Sequence, residues 1–171
     1  MAKHAGSWYT NHGQELDSEV SQYLEAADVS PEIPPKILKA LIGPHAGFAY
    51  SGPNAAWAYK NIKDPNQYDT IFILGPSHKV YLDFVATTAC DEWETPLGSL
   101  TVDKSKVDAL VNSTTCKFEK IVKKYEENEH SLEMHLPYVR KQFQERIGEN
   151  DIKIVPLMVG ELSEGNYIKY A

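Results

Sequence analysis

The chain is poor in cysteine, since its 171 residues include only Cys90 and Cys116. Two cysteines cannot supply the disulfide framework of a small secreted domain, and this pair lacks the C-x-x-C spacing of metal and redox motifs. The N-terminus also lacks the apolar segment of a secretory signal. These absences predict a protein of the reducing cytoplasm.

Long apolar runs and an excess of positive charge are absent too. No segment approaches the roughly 20 uncharged apolar residues that a membrane helix needs. The formal net charge is -7, with 24 acidic and 17 basic residues, and the basic residues are scattered. A surface of net negative charge repels phosphate backbones, so the charge argues against a nucleic-acid partner. We expect neither nucleic-acid binding nor membrane insertion.

Apolar runs and helical periodicity alternate along the chain. The pattern predicts helices at 14–27, 54–62, 104–111 and 132–147, strands at 37–42, 71–74 and 152–160, and short β-pieces between residues 80 and 102. Pro53 suits the first position of the second helix, and Pro156 weakens or bulges the last strand. The order predicts one α/β domain over residues 1–171, with a mixed or largely parallel sheet flanked by helices.

Two histidines occupy matched positions, each after an apolar run and a Gly-Pro turn. His45 follows residues 37–44, and His78 follows residues 71–77. Because ligands bind beyond the carboxyl ends of strands in open α/β sheets, these two imidazoles are expected to converge on one pocket. Imidazole is a common ligand for zinc, copper and iron. The alternative is that each histidine forms hydrogen bonds within its own turn.

A metal pocket built from His45 and His78 alone is incomplete. Catalytic zinc sites use three protein ligands, and non-heme iron sites use two histidines and a carboxylate. No obvious third ligand follows a predicted strand. The sequence also lacks the Gly-x-Ser-x-Gly elbow of hydrolases and the Walker phosphate loop, so neither of these enzyme classes is favoured.

The other histidine-rich segment is residues 129–137, EHSLEMHLP. His130 and His135 are five residues apart and diverge around a helix, unlike the pair in His-Glu-x-x-His. His130 and Glu133 could share a helical face and support the pocket from behind. We favour the other interpretation, a helix start with acidic residues near its positive end.

Aromatic residues cluster in the loops near the first histidine. Trp8, Tyr9, Phe48 and Tyr50 lie in glycine-rich or proline-flanked segments. Aromatic side chains there can form the wall of a ligand pocket, or they can close the core. The sequence supports both interpretations equally.

Four segments, taken together, closely resemble the Memo family, whose name denotes a mediator of receptor-tyrosine-kinase-driven cell motility. They are residues 4–9 (HAGSWY), 43–52 (GPHAGFAYSG), 71–78 (IFILGPSH) and 129–138 (EHSLEMHLPY), and residues 154–160 (IVPLMVG) are a fifth. The segments occur in the family's order. The resemblance therefore covers nearly the whole chain.

The resemblance implies a fold related to class III extradiol dioxygenases and a cytoplasmic role in motility and cytoskeletal signalling. His45 and His78 match metal ligands of the family, so iron or copper is the implied cofactor. Trp8 and Tyr50 would line the same pocket with the two histidines. That pocket would bind phosphotyrosine-type peptides, and the implied partners are phosphorylated receptor tails or signalling adaptors.

The sequence departs from the family pattern in one respect. The family's Asp-Phe-Cys-His-type segment and a later cysteine belong to a C-terminal half that this sequence lacks. The chain is therefore expected to be the N-terminal part of a longer family domain, with an incomplete sheet and no third metal ligand. Two alternatives stay open, a dioxygenase-like metal oxidoreductase and an inactive truncated product. No residue is assigned a catalytic role.

Overall fold

The described residues form six strands and six α-helices. A computed structural model describes residues 2–29, 38–146 and 148–170. The elements are α1 (Gly13–Ala26), α2 (Phe48–Tyr59), β1 (Thr70–Pro76), β2 (Val85–Thr87), β3 (Glu92–Trp93), β4 (Leu100–Val102), α3 (Lys104–Val111), β5 (Phe118–Lys120), α4 (Lys123–Asn128), α5 (Leu136–Gln142), β6 (Lys153–Val159) and α6 (Glu164–Tyr170). Among these residues, no helix is long and apolar enough to cross a membrane.

The sheet is mixed and is organised around β6. β1 runs parallel to the full length of β6, from the pair Thr70–Lys153 to the pair Pro76–Val159. Along β6, β4 pairs in parallel near the start and β2 pairs antiparallel near the end. β3 and β5 extend the sheet beyond β4 and β2. The predicted α/β fold with a mixed sheet flanked by helices is confirmed.

The predicted position of β6 is correct, but the predicted effect of Pro156 on this strand is not. Pro156 does not interrupt the strand, which pairs with β1 on both sides of it. Its carbonyl accepts a hydrogen bond from the Thr87 hydroxyl at 3.0 Å. Ile154 and Val155 are fully buried, as a central strand requires. β6 therefore tolerates the absence of a backbone N–H donor at Pro156 although the strand is central in the sheet.

The predicted strand at 37–42 is wrong for the residues that the structure describes. Residues 38–42 have no strand structure, and Ile42 is 97% exposed; Ile37 lies outside the described residues. β1 differs in a related way, because Ile73 is buried while Phe72 and Leu74 are exposed. An apolar run alone does not show whether a second layer covers both faces of a strand.

Two helix predictions need new boundaries. α2 begins at Phe48, so Pro53 lies inside the helix rather than at its first position. The earlier start is fixed by the N–H of Phe48, which donates to the Trp8 carbonyl at 2.9 Å. The helix expected at 132–147 is shorter: a single 3-10 turn, Glu133–His135, precedes α5, which ends at Gln142. The helices predicted at 14–27 and 104–111 are confirmed as α1 and α3.

Candidate metal centre

Three loops bring three histidines together at one end of the sheet. His45 lies in the loop before α2, His78 lies two residues beyond β1, and His130 lies in the turn between α4 and the 3-10 turn Glu133–His135. One ring nitrogen from each of the three lies within 4.8 Å of the other two. These three side chains are called the histidine cluster below.

The rings of the histidine cluster are packed against one another. The ring centroid of His78 lies 4.5 Å from that of His130, with 20° between the planes. The His45 ring lies 5.3 Å from His78 and 5.7 Å from His130. The His78 side chain is 38% exposed and that of His130 only 12%. The cluster is therefore open to solvent on the His78 side.

The loop that carries His130 is held against the end of β1. Gly75 lies so close to this loop that a Cβ atom there would be 2.6 Å from Ser131 Oγ. The Ser131 hydroxyl donates to the Pro76 carbonyl at 2.9 Å. Glycine is therefore required for this close approach. The contact fixes the distance between the segments that carry His78 and His130.

Glu129 connects the same two segments and is 1% exposed. Its Oε2 accepts the main-chain N–H of His78 at 2.6 Å, and its Oε1 lies 2.9 Å from His78 Nδ1. Oε1 also accepts the main-chain N–H groups of His130 and Ser131, at 2.9 and 3.0 Å. Burial alone would raise the pKa of Glu129, but the hydrogen bonds from His78 and the main chain outweigh it and hold the pKa at about 2.

Glu133 holds the N-terminal segment with a similar set of bonds. Its Oε1 accepts the main-chain N–H of His4 at 2.9 Å, and its Oε2 lies 2.7 Å from His4 Nδ1. The Tyr9 hydroxyl donates to Oε1 at 2.8 Å. This anchoring places the Trp8 ring against His130, with the centroids 4.4 Å apart. Glu133 thus acts on the cluster indirectly, through His4 and Trp8, whose rings contact His130.

Burial lowers the pKa of two members of the cluster. For His45, burial is the largest cause, and a nearby positive charge on His78 would lower the pKa further, against an opposing effect of Glu129. The pKa of His130 is lowered by burial, while Glu129 raises it and the other histidines lower it again. Both imidazoles are therefore neutral near pH 7, the form that binds a metal ion.

The structure corrects the expectation that no third nitrogen donor accompanies His45 and His78. The sequence favours a helix start at His130, yet residues 129–130 have no regular structure and residues 131–132 form a turn. The turn directs the His130 ring toward the other two imidazoles. Its Nδ1 is buried, lies 3.4 Å from Glu129 Oε1 and has no hydrogen-bond partner among the described residues. A buried nitrogen without a hydrogen bond beside two other imidazoles fits a metal ligand set.

The predicted aromatic residues have different positions. Trp8 contacts the cluster through His130. Tyr50 is 84% exposed in the first turn of α2, so most of its side chain faces solvent. Tyr9 and Phe48 are buried in the core and pack on each other at 5.4 Å. His135 turns away from the cluster and pairs with the Tyr59 hydroxyl at 2.8 Å.

Sequence reasoning missed His4 and Glu129. No periodicity identifies them, because both lie in irregular segments and their partners are distant in sequence. The available signal is the repeated proximity of glutamate and histidine in residues 129–135, where two glutamates four residues apart each bind a distant histidine. That signal shows that carboxylates are present but does not show which histidines they bind.

The family profile described as Memo-like protein matches residues 1–171. The protein named MEMO1 of Xenopus tropicalis is 42% identical over 163 residues, which are 95% of this chain and 52% of that protein. MEMO1 of Homo sapiens is 41% identical over the same shares, and the memo-1 homolog of Caenorhabditis elegans is 40% identical over 94% of this chain and 43% of its own.

The chain thus spans about half the length of the curated relatives that it matches. The profile match extends over the whole chain, and the mixed sheet flanked by helices agrees with the fold that the resemblance implies. The chain belongs to the Memo-like protein family.

Proposed function

We propose that the chain binds one redox-active metal ion, iron or copper, through His45, His78 and His130. The observation that carries the proposal is the convergence of three imidazole nitrogens within 4.8 Å of one another. Nitrogen donors of this kind suit copper, iron, nickel and zinc. When bound, the ion would supply Lewis-acid or one-electron chemistry at the open side of the cluster.

Electrostatics and access support this proposal. Burial lowers the pKa of His45 and of His130, which favours the neutral form of these two rings that binds a metal ion. The buried negative charge of Glu129 lies behind the rings and partly compensates the charge of a cation. The exposed His78 side chain leaves a path from solvent.

Metal analysis after equilibrium dialysis tests the proposal. The wild-type chain is expected to retain about one Cu²⁺ or Fe²⁺ per molecule, because its three donors are already close together. The double variant His45→Ala/His78→Ala should retain almost no metal, whereas the control His12→Ala, which leaves the cluster intact, should retain as much as the wild type. Equal metal content in the double variant and the wild type would contradict the proposal.

We further propose that the same pocket binds phosphotyrosine-type peptides and that the protein acts in cytoplasmic motility signalling. Family membership supports this candidate, together with the Trp8 ring packed at 4.4 Å from His130. A flat aromatic surface beside imidazole donors suits a phosphorylated aromatic side chain. The two unpaired cysteines agree with a reducing compartment.

A fluorescently labelled phosphotyrosine peptide tests this second candidate. We expect its anisotropy to rise on binding, and Trp8→Ala to weaken the affinity about tenfold by removing the aromatic wall. The unphosphorylated peptide is the control. Equal affinity for the two peptides, or for wild type and Trp8→Ala, would count against phosphotyrosine recognition.

A further inference from the structure

Two glutamates of one short segment bind two distant histidines with the same set of contacts. Glu129 accepts the main-chain N–H of His78 and pairs with His78 Nδ1. Glu133 accepts the main-chain N–H of His4 and pairs with His4 Nδ1. Both carboxylates are buried, at 1% and 4% exposed. The two glutamates differ in their other contacts: Glu129 also accepts the main-chain N–H groups of His130 and Ser131, whereas Glu133 also accepts the Tyr9 hydroxyl. They differ as well in that His78 belongs to the histidine cluster and His4 does not.

We propose that Glu129 is the positioning residue of the metal centre: it holds His78 as the Nδ1–H tautomer, so that the bare Nε2 nitrogen faces the cluster. This inference rests on the proposed metal binding and deepens it. Glu129 acts through the ring of His78 and through the main chain of His130.

The hydrogen-bond pattern around Glu129 determines the direction of the bond to His78. Three main-chain N–H groups, of His78, His130 and Ser131, can only donate, and all three point at the carboxylate oxygens. A carboxyl group that receives three donors is favoured in its ionised form, which accepts only. Nδ1 of His78 must therefore carry the proton that lies between it and Oε1. In a neutral imidazole the other nitrogen, Nε2, is then free to bind a metal ion.

The Glu129 carboxylate also fixes the distance between two of the proposed metal ligands, His78 and His130. Oε1 is shared by His78 Nδ1 and the main-chain N–H of His130. This arrangement holds the His78 ring over the His130 ring, with centroids 4.5 Å apart and 20° between the planes. Carboxylates that fix the tautomer and orientation of a ligating histidine contribute about 10- to 100-fold to metal affinity. Glu129 has the position and contacts for that role.

Nitrogen NMR of the metal-free chain tests the tautomer directly. With ¹⁵N-labelled histidine near pH 8, the expected wild-type signal is a protonated Nδ1 and a bare Nε2 on His78. In Glu129→Gln one of the two acceptor oxygens becomes an amide NH₂ group and the negative charge is lost, so the Nε2–H tautomer should gain population. A wild-type His78 found as the Nε2–H tautomer would overturn the inference whether or not any variant folds.

Glu133→Gln is the matched control, because Glu133 is also buried and also binds the main-chain N–H and Nδ1 of a histidine, but that histidine, His4, lies outside the cluster. With Cu²⁺ alone as the probe, Glu129→Gln should weaken binding about 10- to 100-fold, and Glu133→Gln less than about threefold. Equal losses in the two variants, or an unchanged affinity in Glu129→Gln, would overturn the positioning role. If the wild type binds no Cu²⁺, the proposed function fails, and the NMR result alone then decides the inference.

Discussion

Replacing His130 with phenylalanine is expected to lower the affinity of the chain for Cu²⁺ about 100-fold, or roughly 2.7 kcal/mol. The expectation follows from the distances within the histidine cluster, where His130 supplies the third nitrogen within 4.8 Å of the other two. A centre with two imidazoles binds a metal ion far more weakly than one with three, because each ligand adds its own bond without a new cost of association.

Phenylalanine is the informative substitution because it retains an aromatic ring. The His130 ring packs between Trp8 and His78, at 4.4 and 4.5 Å. A phenyl ring preserves these contacts while removing both nitrogens, so the loss of affinity reports ligation rather than packing. The exposed His12, which lies outside the cluster, provides the control variant His12→Ala. If His130→Phe binds Cu²⁺ as tightly as this control does, His130 is not a ligand.

Acid is expected to destabilise the fold between about pH 6.5 and pH 4 because of His135. Burial lowers the pKa of this histidine to about 4, and a positive charge on His45 would lower it further. The side chain is 8% exposed, and its Nδ1 pairs with the Tyr59 hydroxyl. The buried neutral ring contributes no pH dependence above about pH 6.5, where the histidine is unprotonated in both the folded and the unfolded chain.

Below that pH the unfolded chain binds a proton that the folded chain does not, so the free energy of unfolding falls until about pH 4. The difference between the two pKa values corresponds to on the order of 3 kcal/mol. Urea unfolding of wild type and His135→Gln at about pH 7, 5.5 and 4 measures it. The variant should lose less stability than the wild type over this range, since glutamine does not titrate. Parallel losses in both proteins would show that His135 does not cause the effect.

The position of His78 follows from its sequence, because an apolar run of strand length and a Gly-Pro turn end directly before it. β1 has that location, and His78 lies two residues beyond it. His45 was expected beyond a similar strand, yet residues 38–42 have no strand structure. It reaches the cluster by another route, the loop anchored where the Phe48 N–H donates to the Trp8 carbonyl. The sequence thus predicts that the two histidines lie close together, but it does not predict the local structure that places His45.

The sequence does not indicate a ligand at His130, because the helical spacing of residues 132–147 predicts a helix that starts near this histidine. The real conformation depends on contacts with distant segments. Ser131 donates to the Pro76 carbonyl, and Glu129 accepts the main-chain N–H of His78. Tertiary hydrogen bonds of this kind override local periodicity and leave no regular pattern in the sequence. Only the folded chain brings the third nitrogen donor beside the other two.

The proposed metal centre consists of His45, His78 and His130, which together bind one ion. X-ray absorption spectroscopy of the chain loaded with one equivalent of Cu²⁺ tests it most directly, because imidazole rings give multiple-scattering features whose strength reports their number. We expect three imidazole nitrogens at about 2.0 Å, the distance typical of metal–histidine bonds, and two in His130→Phe. A copper ion coordinated by oxygen atoms without imidazole scattering would contradict a three-histidine centre.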